Sequence, residues 1–418
     1  MLMAFIREGG LTIVRPNGKV VHVGEHSDTQ SSPEIILRLK SSWTAFKIAM
    51  QPDLYFGEAY MDGSLVLEKG TLWDLLDLCG RNLVHRRLRR QCWAIRVFRL
   101  LVRQFQQHNS RRTARRNVAH HYDLSDSLFR SFLDQDMQYS CAYFLDPRLS
   151  LDEAQAAKKW HVLGKLLLEP GHRVLDIGCG WGGLAISIAE AEGVSTTAIT
   201  LSREQLVVAI ARARDAGVDH KIAFEAKDYR EIAGPFDRIV SVGMFEHVGK
   251  PNYQVFFDKI ASLLTNDGVA LIHSIGRTDG PGLTQAWTRK YIFPGGYIPA
   301  LSEVLPAVER AGFWVTDIEI LRLHYAETLR AWRNAFLDKW DVVRATYDER
   351  FCRMWEFYLA GSEMAFRYDG LMVFQMQLAK RVDTVPITRN YMFEHERFLG
   401  KKKSGSEPAV DLPLVAEM

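Results

Sequence analysis

Short runs of β-branched and other apolar residues alternate with helix-length stretches through the middle of the chain. Five such runs lie at residues 173–177, 195–200, 221–225, 238–242 and 269–275. Strands joined in this way pair in parallel, and the connecting helices cover both faces of the sheet. Two later runs, at residues 313–321 and 371–378, are expected to add strands to the sheet, and these strands could be antiparallel. The pattern predicts an α/β fold built on a mostly parallel sheet.

A glycine-rich sequence, VLDIGCGWGGL at residues 174–184, follows the first run and opens a helical stretch. Gly178, Gly180 and Gly182 would let the backbone approach a ligand closely at the carboxyl end of the first strand, where open α/β sheets bind ligands. Three interpretations remain for this loop. It could bind a dinucleotide, bind S-adenosylmethionine, or be a purely structural turn.

The second strand helps to separate these interpretations. A dinucleotide site needs an Asp or Glu about 20 residues further on, to hold the ribose hydroxyls. The second run ends in AITLS at residues 198–202 and carries no acid. Asp176 lies instead at the end of the first strand, in the LDIGCG sequence that S-adenosylmethionine enzymes commonly show. Both features favour a methyltransferase.

The length of 418 residues favours more than one folding unit. Residues 1–80 mix strand-like segments, turn signals and one helical pattern, which predict a small accessory α+β domain. Residues 117–399 are predicted to form the catalytic domain and residues 400–418 a disordered tail. No apolar run reaches the roughly 18 residues of a membrane-spanning helix, and no secretory signal is recognised. The five cysteines form no CxxC pair, which favours reduced thiols in the cytoplasm.

A strongly basic segment separates the two predicted domains. Residues 81–116 contain twelve arginines and no Asp or Glu. Ile95, Phe98, Val102 and Phe105 recur at helical spacing, so the segment is predicted to be an amphipathic linker helix. Its arginines could be a solvated face, or they could attract anionic lipid, each contributing about 1 kcal/mol near such a surface. Nucleic acid is disfavoured, because no aromatic stacking platform is interleaved with the arginines.

Several motifs beyond the glycine loop narrow the family. They are MQYSCAY at residues 137–143, VGMFEHV at 242–248, IHSIG at 272–276, KYIFPG at 290–295 and HYAETL at 324–329. Together and in this order they resemble the cyclopropane-fatty-acyl-phospholipid synthases, whose relatives are the mycolic-acid cyclopropane synthases. The resemblance runs from about residue 120 to residue 378, and FGEAYMDG at 56–63 is similar, more loosely, to the accessory domain of the longer bacterial synthases. It implies a Rossmann-like class I methyltransferase with a seven-stranded, mostly parallel sheet.

The resemblance also implies a set of site residues. A bicarbonate ion is expected beside the transferring methyl group, held by Cys141, Glu246, His273, the backbone of Ile275, and Tyr325. The cofactor, S-adenosylmethionine, is expected to contact Tyr139, Ser140, Asp176, Gly178, Gly180, Gly182, Thr200, Leu201, Ser202, Gln205, Asp228 and Tyr229. The hydroxyl and amide groups after the second strand would then replace the missing ribose carboxylate.

Reaction chemistry explains why such a site needs a base. An alkene has no proton to lose before it attacks the sulfonium methyl, so transfer leaves a carbocation on the acyl chain. Ring closure then requires a proton to leave the new methyl group. A bicarbonate held by His273 and Tyr325 would be a mild base that can be released. Aromatic walls that exclude water and favour the cation are expected from Phe144, Trp287, Tyr291 or Phe293.

Simpler interpretations exist for each of these residues. Glu246 could cap a helix, His273 and Tyr325 could be core residues, and Cys141 could be an inert buried thiol. The sequence HHYD at residues 120–123 lacks further ligands at metal spacing, so no metal site is predicted there and the segment is interpreted as structural or lid-forming. The family is often described with a cysteine where this chain has Ser362. Because the proposed chemistry does not use that thiol, activity is expected to survive.

The prediction is therefore a cytoplasmic cyclopropane-forming methyltransferase at the inner face of the membrane. Its expected partner is an anionic phospholipid surface, without nucleic acid, and a homodimer is one option. Addition of a methyl or methylene branch to the acyl chain is the alternative within the same chemistry. A nucleic-acid methyltransferase and an inactive lipid-binding relative are less favoured. The first lacks a target loop, and the second has no use for Glu246, His273 and Tyr325.

Overall fold

The computed structural model describes residues 6–24, 33–87, 126–191, 193–394 and 396. Within these residues the chain forms two sheets with their own helices. Residues 88–116 of the predicted basic helix, the HHYD sequence and the predicted tail lie outside the described residues. The predictions for them remain predictions.

The N-terminal unit is a four-stranded sheet packed against three helices. Its strands are β1 (Gly10–Val14), β2 (Val20–Gly24), β3 (Ile36–Leu39) and β4 (Leu65–Lys69), in the order β2-β1-β3-β4. Its helices are α1 (Ser42–Met50), α2 (Pro52–Met61) and α3 (Leu72–Arg87). Thr71 and Asp74 cap α3 reciprocally through side chain and backbone. The helix continues through the predicted domain boundary at residue 80.

The larger unit has a seven-stranded sheet, which confirms the predicted fold class. Its strands are β5 (Arg173–Ile177), β6 (Ser195–Ile199), β7 (Ile222–Glu225), β8 (Phe236–Val242), β9 (Leu264–Arg277), β10 (Trp314–Leu321) and β11 (Leu371–Ala379). The order is β10-β11-β9-β8-β5-β6-β7, and only β11 runs antiparallel to its neighbours. The chain leaves β5 towards β6 and later returns to β8 on its other side. This topological switch point opens a crevice at the carboxyl end of β5.

Within the described ranges, ten α-helices accompany this sheet. They are α4 (Asp126–Phe132), α5 (Leu151–Leu166), α6 (Gly183–Ala189), α7 (Arg203–Asp215), α8 (Tyr253–Leu263), α9 (Ala286–Tyr291), α10 (Leu301–Arg310), α11 (His324–Asp338), α12 (Trp340–Thr346) and α13 (Glu349–Tyr368). Helices α4, α11 and α13 share an aromatic core that includes Phe132, Trp332 and Trp355. This core is separate from the apolar clusters on the faces of the sheet. In the described parts of the chain, no helix combines the length and apolar character needed to span a bilayer.

The N-terminal unit packs directly on the larger one. A Cβ atom on Gly57 of α2 would lie 2.6 Å from the indole of Trp287 and 2.8 Å from Phe357, so α2 contacts both α9 and α13 closely. Trp287 Nε1 donates to the sulfur of Met61 at 3.2 Å, and the Tyr60 hydroxyl donates to Glu356 at 2.5 Å. These contacts tie the first unit to side chains beside the sheet's carboxyl edge.

Candidate active site

Two connected cavities lie at the carboxyl ends of the central strands. The first is bounded by the loops after β5, β6 and β7, and the second extends from the ends of β8 and β9 towards α9, α11 and α13. Tyr139, Ser140, Gly243 and His247 line both cavities. We call them the loop cavity and the aromatic cavity. A ligand group bound beside the shared residues can therefore contact a molecule in the loop cavity or one in the aromatic cavity.

The glycine loop gives the loop cavity a backbone surface. Gly178 has a φ of 90°, and a Cβ there would come within 2.9 Å of the Met244 side chain. The amides of Gly178 and Cys179 donate to the Ile199 carbonyl at 2.9 and 3.0 Å, which fixes the loop against β6. Gly180 also has a positive φ and lines the cavity. The loop is therefore held open rather than filled by side chains.

Asp176 supplies a buried carboxylate to the same cavity. Burial raises its pKa from 3.8 to about 7, partly opposed by the charge of Lys158. Its Oδ2 atom is buried and has no hydrogen-bond partner among the described residues. A buried polar atom without a partner is costly. Its place in the cavity wall makes it an acceptor for a ligand donor.

Ten of the twelve residues predicted to bind the cofactor line the loop cavity. They are Tyr139, Ser140, Asp176, Gly178, Gly180, Thr200, Leu201, Gln205, Asp228 and Tyr229. Thr200 and Gln205 are joined side chain to side chain at 3.1 Å. Asp228 is held by a bidentate pair with Arg230, at 2.7 and 2.6 Å, and is thereby oriented at the rim.

The other two, Gly182 and Ser202, do not line either cavity. Gly182 precedes α6 with a φ of 82°, and a Cβ there would lie 2.9 Å from Ala209. Ser202 caps α7 by accepting from the Gln205 amide at 3.2 Å. Both residues support the lining of the loop cavity without contributing to its surface. Lining residues that sequence reasoning did not single out include Trp181, Lys227 and Arg230. Each is the chain neighbour of a predicted residue, and that adjacency was the available signal.

All five residues predicted around the bicarbonate line the aromatic cavity. Glu246 follows β8 in a single 3₁₀ turn, and its Oε1 accepts the backbone amide of Ile275 at 2.6 Å. The Ile275 amide is therefore already used by Glu246. Glu246 Oε2 is buried without a partner among the described residues. Burial raises the pKa of Glu246 to about 7, although the Ile275 bond opposes the shift.

His273 on β9 is held in one tautomer by its neighbours on β11 and α5. Lys165 donates to Gln375 Oε1 at 2.7 Å, which leaves the Gln375 amide nitrogen 3.1 Å from His273 Nδ1. An amide nitrogen only donates, so Nδ1 accepts and the neutral ring carries its proton on Nε2. Burial keeps the ring neutral by lowering its pKa well below the usual range. His273 can thus offer an N–H donor to the cavity it lines.

Cys141 and Tyr325 complete the set, and neither is arranged as a nucleophile. The Cys141 thiol donates to the Ala142 carbonyl at 3.3 Å, and burial raises its pKa far above the usual range. The Tyr325 ring packs at 4.8 Å from Phe366 and 5.8 Å from Trp332. The Ala142 amide donates to Thr328 at 3.0 Å, which joins the segments that carry these two residues.

A buried lysine lies behind both cavities. Lys158 of α5 is wholly buried and donates to Ser140 Oγ at 2.9 Å and to Gln138 Oε1. Within the described residues no carboxylate oxygen lies within 4 Å of its nitrogen. Burial lowers its pKa to about 8, so the ammonium form remains available near neutral pH. Its positive charge opposes the rise in the pKa of Asp176, and the charges of Asp134 and Asp136 in turn favour the ammonium form of Lys158.

The aromatic cavity has apolar walls, although not all the predicted ones. Trp287 and Phe293 line it, whereas Phe144 and Tyr291 do not. The Tyr291 hydroxyl donates instead to Glu58 of the N-terminal unit at 2.9 Å. Further aromatic lining comes from Tyr139, Tyr297, Tyr325, Phe357, Tyr358 and Phe366. Ser362 of α13 also lines the cavity, so the residue that departs from the family pattern faces the same space.

Comparisons with known proteins agree on one family. A family model described as mycolic acid cyclopropane synthetase matches residues 109–376. The cyclopropane-fatty-acyl-phospholipid synthase of Escherichia coli K12 is 35% identical over an alignment of 365 residues, and the match covers 83% of this chain and 88% of that protein. The tuberculostearic acid methyltransferase UfaA1 of Mycobacterium tuberculosis is 40% identical over an alignment of 286 residues, and the match covers 65% of this chain and 66% of that protein.

A solved structure gives the same result. The mycolic acid cyclopropane synthase CmaA1, complexed with SAH and CTAB, matches with a TM-score of 0.60 and 35% identity. The match covers 63% of this chain and 97% of that one.

Proposed function

The chain belongs to the mycolic acid cyclopropane synthetase family of S-adenosylmethionine-dependent methyltransferases, and we propose that it converts the cis double bond of an unsaturated phospholipid acyl chain into a cyclopropane ring. The observation that carries the proposal is the junction of the two cavities. There a glycine-loop site meets an aromatic cavity that contains a buried carboxylate. The named activity of the Escherichia coli relative supports the phospholipid substrate.

The loop cavity suits S-adenosylmethionine. The cofactor would supply an electrophilic methyl group on a sulfonium centre. Asp176 offers its unpartnered Oδ2 to a ligand donor, and the backbone of Gly178 and Gly180 leaves room for close approach. Thr200 and Gln205 offer polar groups where a dinucleotide site would have a carboxylate. These residues would hold the cofactor in the loop cavity, whose lining shares Tyr139 and Ser140 with the aromatic cavity.

The aromatic cavity suits an acyl chain and the cation formed on it. Trp287, Phe293 and Tyr358 are among the rings that would exclude water around the double bond. The faces of such rings attract positive charge, which lowers the energy of a carbocation on the chain. The Tyr139 hydroxyl lies 2.7 Å from that of Tyr358, so one hydrogen bond fixes two of the rings at the junction.

The residues near Glu246 fit a bound bicarbonate. Glu246 Oε2 lacks a partner in the described part of the chain, His273 offers Nε2–H, and Tyr325 offers a hydroxyl. Bicarbonate, when bound, would supply a mild base for the proton that must leave the added methyl group. Glu246 could accept that proton, because its pKa of about 7 allows both protonation states near neutral pH. The buried ammonium of Lys158 favours an anion in this place.

Addition of a methyl or methylene branch is the alternative activity. It uses the same cofactor and the same cation, which then loses a different proton and leaves a branched alkene instead of a ring. The similarity to UfaA1 favours keeping this alternative, since that relative is named as a tuberculostearic acid methyltransferase. The residues of the two cavities serve either outcome.

We further propose that the enzyme works at the cytoplasmic face of the inner membrane on anionic phospholipid. The arginine-rich residues 81–116 support this proposal through their charge. A homodimer remains an option for the assembly.

Product analysis tests the activity. The purified protein would be incubated with methyl-labelled S-adenosylmethionine and vesicles of monounsaturated phosphatidylglycerol, and the acyl chains analysed by mass spectrometry. We expect a gain of one CH₂ with loss of the alkene, and no label in saturated vesicles. His273→Ala should abolish the gain. A gain of CH₂ that leaves an alkene in place would identify the branching activity, and unlabelled lipid with bound cofactor would refute a lipid substrate.

A further inference from the structure

We propose that the outer face of α1 is a docking surface for the anionic phospholipid bilayer, an inference that rests on the lipid substrate proposed above. Trp43, Phe46 and Met50 are spaced three and four residues apart, so they lie on one face of this helix. Their exposed fractions are 63, 53 and 69%. The rings of Trp43 and Phe46 stack at 5.3 Å, which makes them one continuous apolar surface.

The other face of α1 explains why these residues are left outside. Thr44 is buried, and Ile48 packs against the core of the N-terminal unit. Lys47 lies 5.2 Å from the centre of the Tyr55 ring. The helix therefore already has a packed side, and the three large apolar side chains contribute nothing to it. Large exposed apolar clusters of this kind usually mark interaction sites.

Positive charge flanks the N-terminal end of the apolar face, which favours an anionic partner. No Asp or Glu occurs between Glu34 and Asp53, and Lys40 precedes Ser41, the N-cap residue of the helix. Strands β1 and β3 are parallel with Val14 opposite Arg38, so Arg15, which follows β1, emerges at the same edge as Lys40. Both Arg15 and Lys40 are exposed. A Trp-containing apolar stripe flanked by cations is the usual composition of a surface that lies in a lipid head-group region.

The location of α1 connects this surface with the substrate cavity. Helix α2 lies between α1 and α9, and Gly57 of α2 packs directly on Trp287, which lines the aromatic cavity. Lys290 of α9 is bonded to Glu58 of α2 at 2.7 Å. A bilayer bound at α1 would therefore be only one helix away from the wall of that cavity. An acyl chain would then have to move only a short distance from the bilayer to reach the aromatic cavity.

The test compares a Trp43→Ser/Phe46→Ser variant with Val382→Ser, a control that removes an equally exposed apolar side chain in the loop after β11. Flotation with monounsaturated phosphatidylglycerol vesicles measures binding, and labelled product is measured on vesicles and on the same lipid dispersed in detergent. We expect the affinity of the double variant for vesicles to fall by about tenfold or more. Its product yield on vesicles should fall with it. Product on detergent-dispersed lipid should remain. The control should match the wild type, and Arg15→Glu/Lys40→Glu should weaken binding most at low salt.

Several results would overturn the inference. Unchanged vesicle binding by the double variant would do so, as would an equal loss of activity on detergent-dispersed lipid, which would indicate a structural role. A wild-type dimer that dissociates in the double variant would identify a second copy of the chain as the occupant. If the wild type labels no lipid in either form, the proposed activity fails, and the vesicle-binding comparison still decides the docking surface.

Discussion

The two cavities of this protein are built in different ways. The loop cavity takes most of its wall from backbone turns that directly follow β5, β6 and β7, so its residues are close to sequence motifs. The aromatic cavity collects side chains from segments as far apart as Tyr139 and Leu371. Each nevertheless contains one buried carboxylate with an unpartnered oxygen and a pKa of about 7, Asp176 in the first and Glu246 in the second. Under the proposed function, similar groups would serve cofactor binding in one cavity and proton transfer in the other.

Glu246→Gln should separate these roles most strongly. The change keeps the shape of the side chain and its acceptor for the Ile275 amide, but removes the carboxylate. We expect kcat to fall about 10²- to 10⁴-fold, the range typical of lost acid–base catalysis. Affinity for S-adenosylmethionine, measured by calorimetry, should stay close to that of the wild type. A matching loss of cofactor affinity would show that the two cavities do not divide the work in this way.

Gln375→Glu should affect only the aromatic cavity, through the tautomer of His273. A carboxylate at position 375 would accept from both Lys165 and His273 Nδ1, so the ring's Nε2 would become an acceptor. We expect kcat to fall by about 10- to 100-fold, as when one catalytic hydrogen bond is lost. Nitrogen NMR of the ring should report the proton on Nδ1. Gln377→Glu is the matched control, because Gln377 contacts the Lys165 carbonyl and Tyr391 instead of His273. An unchanged tautomer in the Gln375 variant would show that Gln375 does not set the tautomer of His273.

Asp176→Asn should affect only the loop cavity. Loss of a charged hydrogen-bond acceptor typically weakens binding by about tenfold, so the KM for S-adenosylmethionine should rise to that extent. At saturating cofactor, kcat should be nearly that of the wild type. A fall in kcat without a change in KM would mean that Asp176 acts on the reaction rather than on binding.

The smallest expected effect is on the pH dependence of folding stability, to which Asp176 and Glu246 contribute in the same direction. Burial raises their pKa values from 3.8 and 4.5 to about 7, so between these values the folded state binds more protons than the unfolded state. Their stabilising contribution is therefore complete below about pH 4 and is lost as the pH rises through about 7. We expect the melting temperature of the cofactor-free protein to fall by a few degrees between pH 5 and pH 8. The Asp176→Asn/Glu246→Gln variant should show a flatter profile, and parallel profiles would contradict the assignment.

The loop cavity was also the easier one to predict from the sequence. Glycines and short motifs at strand ends indicate its residues locally, and seven predicted strands appear in the larger sheet with ends shifted by only a few residues, except for the longer β9. Gly182 and Ser202 belong to the same motifs but support the wall from behind, a distinction that depends on φ angles and capping.

The supporting residues of the aromatic cavity could not be found in this way. Lys158 lies in a helix whose sequence, AQAAKKWHV, looks like a solvent-facing one, and only tertiary packing buries it. Glu319 of β10 pairs with His161 and Lys165 and lines neither cavity, a contact that joins segments far apart in the sequence. Gln375 did leave a signal. It is one of two amides in an otherwise apolar strand, and a buried amide usually has a specific partner.

The contact between Gly57 and the cavity wall has a consequence for how substrate selectivity can change. Trp287 and Phe357 both line the aromatic cavity, and the absence of a side chain at position 57 is what leaves them room. Among its described residues, the N-terminal unit contributes none to that lining. It nevertheless sets how far two of the rings can retreat from an acyl chain. The width of the aromatic cavity can therefore be adjusted by substitutions at position 57, which lies outside the cavity lining, while the reacting groups stay as they are.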